Sequence, residues 1–360
     1  MRKLHRAVSE ALDRVDFPSL FPGFHRFPFA LYNGETVTLC ASEIPCDRRF
    51  LGNTAIEFEG GFLAIWKVEA PREENPTLLA ASLVHEMFHA LQRERGETRF
   101  PNDLVGLDYP RTAEVLLAKE AEYALLRAAF AAFVAAEKRA LLERFAAYRL
   151  YREAWMGDII GQEYLVETAE GMAEFVSLKA LRALSESAYM ARLEKHLGSL
   201  EPNGGYAFDM RRLAYFSGSL FLLALEDAGV NVAHEVGGEK RPAFTLFSGG
   251  IAPTAPPAPE GNALSAALAL AKEYEDALSA RFLAFKTQRT IRREGPFYIC
   301  GYDPMNMIRH RDEVLCTHFV MLAPEGGAPQ FIEGPVLLYM ERDGCDKVLA
   351  YETAQEGVHV

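Results

Sequence analysis

Cysteine is scarce in this chain: Cys40, Cys46, Cys300, Cys316 and Cys345 are the only five among 360 residues. The number is odd and no two stand in Cys-x-x-Cys spacing, so no disulfide framework is indicated. A reduced, cytoplasmic protein is expected. Positive charge is also short. Thirty-eight Lys and Arg face 50 Asp and Glu, a formal net charge of -12, which argues against binding nucleic acid through its phosphates. Long apolar runs are missing. The alanine-rich stretch 128–136 is too short to span a bilayer and is flanked by charges, so no membrane partner is expected. Met1–Arg6 starts basic, but Glu10, Asp13, Arg14 and Asp16 interrupt what would be a signal peptide's apolar region. No internal repeat is apparent. What remains is an ordinary globular composition, 49% hydrophobic and 24% charged, in a chain long enough for two domains.

The stretch with most chemical content is Leu83–Leu91, which contains His85-Glu86-Met87-Phe88-His89. Asn75-Pro76-Thr77 offers a helix start, and no proline interrupts the residues that follow. On a helix, two histidines four apart share a face, and their ring nitrogens can meet at one ion. Glu86 leaves the helix at another angle. There it can reach a metal-bound water without binding the metal, which is the place for a general base. A core helix with hydrogen-bonded histidines is the alternative, and it leaves the carboxylate between them unexplained. A divalent metal, Zn²⁺, is the expected cofactor.

Around this helix the pattern predicts an α+β, mostly helical fold. Phe29–Tyr32 and Thr36–Cys40 flank Asn33-Gly34, and Thr54–Glu59 and Phe62–Val68 flank Gly60-Gly61; both read as hairpins of a small N-terminal sheet. Thr112 to about Leu150 reads as a long helical tract, broken or continuous. Residues 1–248 form the first expected domain. The stretch 249–261, rich in Pro, Gly and Ala, reads as a linker. Residues 262–360 read as a helix, capped by Asn262 or Ser265, followed by a small β subdomain of unassigned role. Its strands are expected at Phe297–Cys300, Val314–Leu322 and Pro335–Met340. His310 and His318 lie in it without supporting ligand spacing and are taken as structural.

A two-histidine site needs a third protein ligand. Glu163, Glu167, Glu170 and Glu174 fall on one face of a helical segment, Gln162–Val176. A solvated acidic stripe is the ordinary reading. Apolar neighbours and the interior Gly171, which costs about 1 kcal/mol relative to alanine, place it instead near the core. Gly171 is expected to let this helix approach the His85–His89 helix.

Together, His85-Glu86-Met87-Phe88-His89 and Glu170-Gly171-Met172-Ala173-Glu174 resemble the gluzincin metallopeptidases, the group of thermolysin and the aminopeptidase-N-like enzymes. The resemblance covers two motifs and their order. It implies a zincin-like domain, zinc held by His85, His89 and Glu170, and a peptide or protein substrate. It further implies that Glu174 supports the outer nitrogen of His85, that a tyrosine such as Tyr215 steadies the oxyanion, and that Phe62–Lys67 is an edge strand along which substrate pairs. Tyr206 or an arginine is the alternative to Tyr215; Arg211 and Arg212 lie near the start of the same helical segment. His196 and His234 read as surface residues. The chain departs from the pattern in the long insertion between His89 and Glu170, in Glu174 where aspartate is usual, and in lacking Gly-Ala-Met-Glu-Asn. Gln92 and Arg95 stand where metzincins need glycine and histidine. The expected function is zinc-dependent peptide hydrolysis. The alternative is a metal-binding regulatory or scaffolding protein without turnover, which would not need Glu86.

Overall fold

The computed structural model describes residues 1–40, 42–202, 204–341 and 346–354; Cys345 and Asn203 lie outside the described residues. In chain order the elements are α1 (Arg2–Leu12), α2 (Phe17–Leu20), β1 (Phe29–Tyr32), β2 (Thr36–Thr38), β3 (Glu43–Pro45), β4 (Thr54–Phe58) and β5 (Gly61–Lys67). There follow α3 (Pro76–Glu94), α4 (Asp103–Gly106), α5 (Ala113–Ala131), α6 (Ala135–Met156), α7 (Ile160–Leu184), α8 (Glu186–Ser199), α9 (Met210–Asp227), α10 (Ala243–Ser248) and α11 (Ala263–Lys286). Last come β6 (Thr290–Tyr302), β7 (Met307–His310), β8 (Glu313–Cys316), β9 (Phe319–Pro324), β10 (Gln330–Glu333), β11 (Val336–Met340) and β12 (Lys347–Ala354). About 49% of the chain is helix and 19% strand, in two sheets, so it is a mixed α/β chain with helix dominant.

The chain divides into two compact units. The first holds residues 1–101, 119–155 and 163–256; the second holds 102–118, 156–162 and 257–360. The passage between Pro256 and Pro257 falls inside the expected linker, but the second unit also draws two segments from within 1–248.

In the first unit five strands run in the order β3-β2-β1-β5-β4, with β1 and β5 parallel and the other pairs antiparallel. Both hairpins form. At the first, Asn33 Oδ1 accepts from the Glu35 and Thr36 N–H groups. At the second, the two turn residues are Glu59 and Gly60, one position earlier than expected. Both have positive φ, 50° and 83°, as a type I′ turn requires. Phe62–Lys67 is not an edge. β5 pairs with β1 on one side and β4 on the other, so its backbone groups are already committed to neighbours. The edge beside it is β4.

Helix α3 packs against β4, β5 and α1. Asn75 caps it, accepting from Thr77 N–H at 2.9 Å with Pro76 in the first turn, which is the start the sequence indicates. Its residues from Leu79 to Gln92 are almost all buried. Apolar side chains on every side make this a core helix rather than a surface one. Phe21 and Phe24 meet Phe88 edge to face at 5.2 and 5.5 Å.

The Gly171 contact differs from expectation. A Cβ on Gly171 would stand 2.8 Å from the Gly218 Cα, and one on Gly218 would stand 2.8 Å from the Glu167 carbonyl oxygen. The glycines therefore bring α7 against α9, not α3. Alpha-3 is joined to α7 by hydrogen bonds instead: Ser177 Oγ donates to the Ala81 carbonyl at 2.9 Å and Gln92 Nε2 to the Ala169 carbonyl at 3.0 Å.

The second unit is a seven-stranded antiparallel sheet, β10-β9-β6-β12-β11-β8-β7, larger than the few strands expected. The run 314–322 is two strands, β8 and β9, that are not neighbours. Alternation along the strands fills both faces. Leu315 and Leu337 pack under Leu278, Phe282 and Phe285 of α11, while Val314, Cys316, Val336 and Leu338 form a core with Leu104 of α4. Asn262 sits at the N-cap of α11 without a side-chain capping bond; Ser265 Oγ donates to the Asn262 carbonyl instead. His310 bonds Glu275 at 3.1 Å and His318 bonds Asp303 at 2.7 Å. The four described cysteines are free, and no described helix is long and apolar enough to cross a membrane.

Candidate metal centre

His85, His89 and Glu170 converge. His85 Nε2 and His89 Nε2 are 3.1 Å apart, His89 Nε2 lies 3.0 Å from Glu170 Oε2, and His85 Nε2 lies 3.5 Å from the same oxygen. Tetrahedral bonds of 2.0–2.1 Å separate ligand atoms by about 3.3 Å. The triangle has the size such an ion needs.

The protons decide what the triangle can hold. Gln92 Nε2 donates to a carbonyl, so its Oε1 faces His89 Nδ1 at 2.7 Å and must accept a proton from it. His85 Nδ1 donates to Glu174 Oε2 at 3.1 Å. With both Nδ1 atoms protonated, the neutral rings turn bare Nε2 lone pairs toward each other and toward a carboxylate oxygen. Three acceptors at such distances repel unless a cation lies among them. Burial alone lowers the His85 pKa, but Glu170 and Glu174 reverse this and push it up to about 10. The carboxylates thus draw a positive charge, proton or metal, into this position. Burial opposes charge on Glu170, yet the neighbouring histidines and Arg211 hold its pKa well below the usual range. Arg211 Nη2 donates to Glu170 Oε1 at 2.7 Å, leaving Oε2 to the histidines.

Behind the triangle, Glu174 is held by three donors. Besides His85, it accepts from His196 Nε2 at 2.8 Å and from Arg192 Nη2 at 3.0 Å. His196 Nδ1 is buried with no partner among the described residues. A proton there would be an unsatisfied donor, so it sits on Nε2. His196 is 5% exposed, which overturns its reading as a surface residue. His234 is half-buried and away from this cluster.

Glu86 is 7% exposed, and burial raises its pKa against the opposing pull of the histidines. It lines a cavity of about 670 Å³ together with His85, Tyr206 and Tyr215. The Tyr215 ring is parallel to that of His85, centroids 5.9 Å apart. Burial and the nearby Glu170 carboxylate raise its pKa well above the ordinary value, so it stays an O–H donor. Arg211 adjoins Tyr215, whereas Arg212 turns to Asp209, the α9 cap.

The acidic stripe of α7 is buried throughout and divides in two. Glu163 and Glu167 face away from the histidines, into a group with Lys119, Glu122, Arg149 and Arg152. Arg152 binds Glu122 at 2.6 Å and Glu163 at 2.8 Å, Lys119 binds Glu163 at 3.1 Å, and Arg149 binds Glu167 at 2.6 Å. Three carboxylates meet three cations, so the core carries these charges in balance. The sequence reading missed Gln92 as a partner of His89, although its i+3 spacing on a helix was a signal. It missed Arg192 and His196 because nothing local in α8 marks them.

Compared with known proteins, the chain matches no family model, no curated protein and no solved structure.

Proposed function

We propose that the chain is a zinc-dependent metallopeptidase with a zincin-like first unit. The observation that carries this reading is the convergence of His85 Nε2, His89 Nε2 and Glu170 Oε2 to within 3.0–3.5 Å of one another, with the carboxylate of Glu86 on the cavity wall beside them. His85, His89 and Glu170 hold the metal. Bound there, it supplies a Lewis acid for a carbonyl and brings the pKa of a water toward neutrality.

The chain's own groups do the rest. Glu86 takes the proton of the attacking water and passes it to the leaving amine. Its raised pKa brings it nearer the working pH, which favours both transfers. Tyr215 keeps its proton and donates to the developing oxyanion. Glu174, fixed by Arg192 and His196, holds His85 in the tautomer that leaves Nε2 free.

Purified protein and its Glu86→Gln variant test the reading. Both should carry one equivalent of zinc, and the wild type should cleave members of a peptide library. The variant should be slower by roughly 10²–10⁴-fold. A zinc-loaded wild type that cleaves no peptide would leave a metal-binding protein without turnover. A variant that loses its zinc would show Glu86 to be a ligand.

A further inference from the structure

The cavity that holds Glu86 has a second chemical feature. Ala188, Ala191, Arg192 and Lys195 of α8 all line it. Their spacing, i, i+3, i+4, i+7, is one continuous helix face. Two alanines leave room on that face, and two cations follow them.

Neither cation is used up. Arg192 contacts Glu174 through Nη2 alone, at 3.0 and 3.2 Å, and its side chain is 23% exposed. Nε and Nη1 have no other partner among the described residues, so part of a guanidinium fork faces the cavity, anchored from behind by a buried carboxylate. Lys195 is exposed and makes no ion pair among the described residues. Glu174 pairs with Arg192 through Nη2 and also accepts from His85 and His196, so Nε and Nη1 of Arg192 and the ammonium of Lys195 are left for a ligand. An arginine held in this way, with a lysine one turn along, suits a carboxylate.

Distance fixes where that carboxylate belongs. Arg192 Nη2 and His85 Nδ1 contact the same oxygen of Glu174, at 3.2 and 3.1 Å. The guanidinium is therefore two hydrogen bonds from the His85 ring. An extended peptide advances about 3.3–3.6 Å per residue, so the cation reaches the residue beside the bond being cut. We propose that Arg192 and Lys195 select peptides carrying a carboxylate on that residue, either an acidic side chain or the chain terminus. This rests on the metallopeptidase reading and adds a substrate class to it.

Zinc-loaded protein can be titrated by calorimetry with four hydroxamate-capped dipeptides. One has a free C-terminus and neutral side chains, and the second is its C-terminal amide. The third and fourth are amides with Glu or Gln beside the hydroxamate. A carboxylate-bearing probe should bind about tenfold tighter than its neutral match. Preference in the first pair marks a chain terminus, and preference in the second marks an acidic side chain. Lys195→Met, at an exposed position, should reduce that preference while leaving the neutral probes unchanged, and Arg192→Lys, which keeps a cation on Glu174, should reduce it as read from the ratio of the two affinities within each pair. Four equal affinities in the wild type would overturn the proposal and leave the metal reading standing. So would a preference that survives both substitutions. If no hydroxamate binds the zinc-loaded protein, the metallopeptidase reading falls, and this proposal with it.

Discussion

Four glutamates of one helix end in different circumstances, and single substitutions should separate them. Glu170→Ala removes an oxygen 3.0 Å from His89 Nε2 and should abolish stoichiometric zinc binding. Glu174→Ala leaves the triangle complete but frees His85, and should weaken zinc affinity about 10–100-fold. Glu163→Ala should leave zinc affinity nearly unchanged while costing roughly 3–5 kcal/mol of stability, because Arg152 and Lys119 lose a buried partner. Competition with a fluorescent chelator reads the first two effects, and urea unfolding reads the third. Equal zinc affinities for the Glu163 and Glu170 variants would sink the ligand assignment. The sequence could propose this division because the two motifs name the residues. It could not foresee where Glu163 and Glu167 go, since Arg149 and Arg152 lie on a separate helix with no pattern tying them to the stripe.

At the scale of elements, the start and the body of α3 were legible: a capping asparagine, a proline in the first turn and an uninterrupted apolar run. The role of Gly171 was half legible. An interior glycine signals a close approach, but not which helix approaches, and Gly218 is an unremarked glycine 47 positions away. Gly171→Ala should destabilise the protein by about 1–3 kcal/mol, since its Cβ meets backbone that cannot rotate away. The gain of about 1 kcal/mol from helix propensity should not offset this. Unchanged stability in chemical denaturation would mean that α7 and α9 separate easily. The misplacement of β5 at an edge has a related cause. Strand alternation reveals which face is buried, whereas sheet order depends on pairing between distant segments, and β1 closes the side of β5 that the hairpin leaves open.

For the whole molecule, the division into units was only partly readable. A linker composition marks one crossing, but 102–118 and 156–162, which hold the short α4, helix ends and loops, carry no such mark. Acid stability offers a whole-molecule test of the first unit. Glu97 binds Arg99 at 2.6 Å, and both are buried. Burial would raise the Glu97 pKa, but the hydrogen bonds from Arg99 and the Gly237 N–H hold it at about 2. A carboxyl depressed in the folded state stabilises above its unfolded pKa, near 4.3. That stability is lost as pH falls toward 2. Wild type should therefore lose roughly 3 kcal/mol across this interval that Glu97→Gln does not lose. Parallel curves of unfolding free energy against pH for the two proteins would remove Glu97 from the acid response.

The contact between Gly171 and Gly218 also resolves an ambiguity that the glutamates create. The stripe at 163, 167, 170 and 174 nearly repeats itself every turn, so α7 displaced by one turn, about 5.4 Å, would still offer a carboxylate to the histidines and another to the arginines. Charge alone would scarcely distinguish the two alignments. The glycine pair does, because it is a notch that admits backbone at one position only, and every neighbouring alignment sets a side chain where the notch should be. The fold thus uses the smallest side chain in the helix as its index mark and leaves the acids free to repeat.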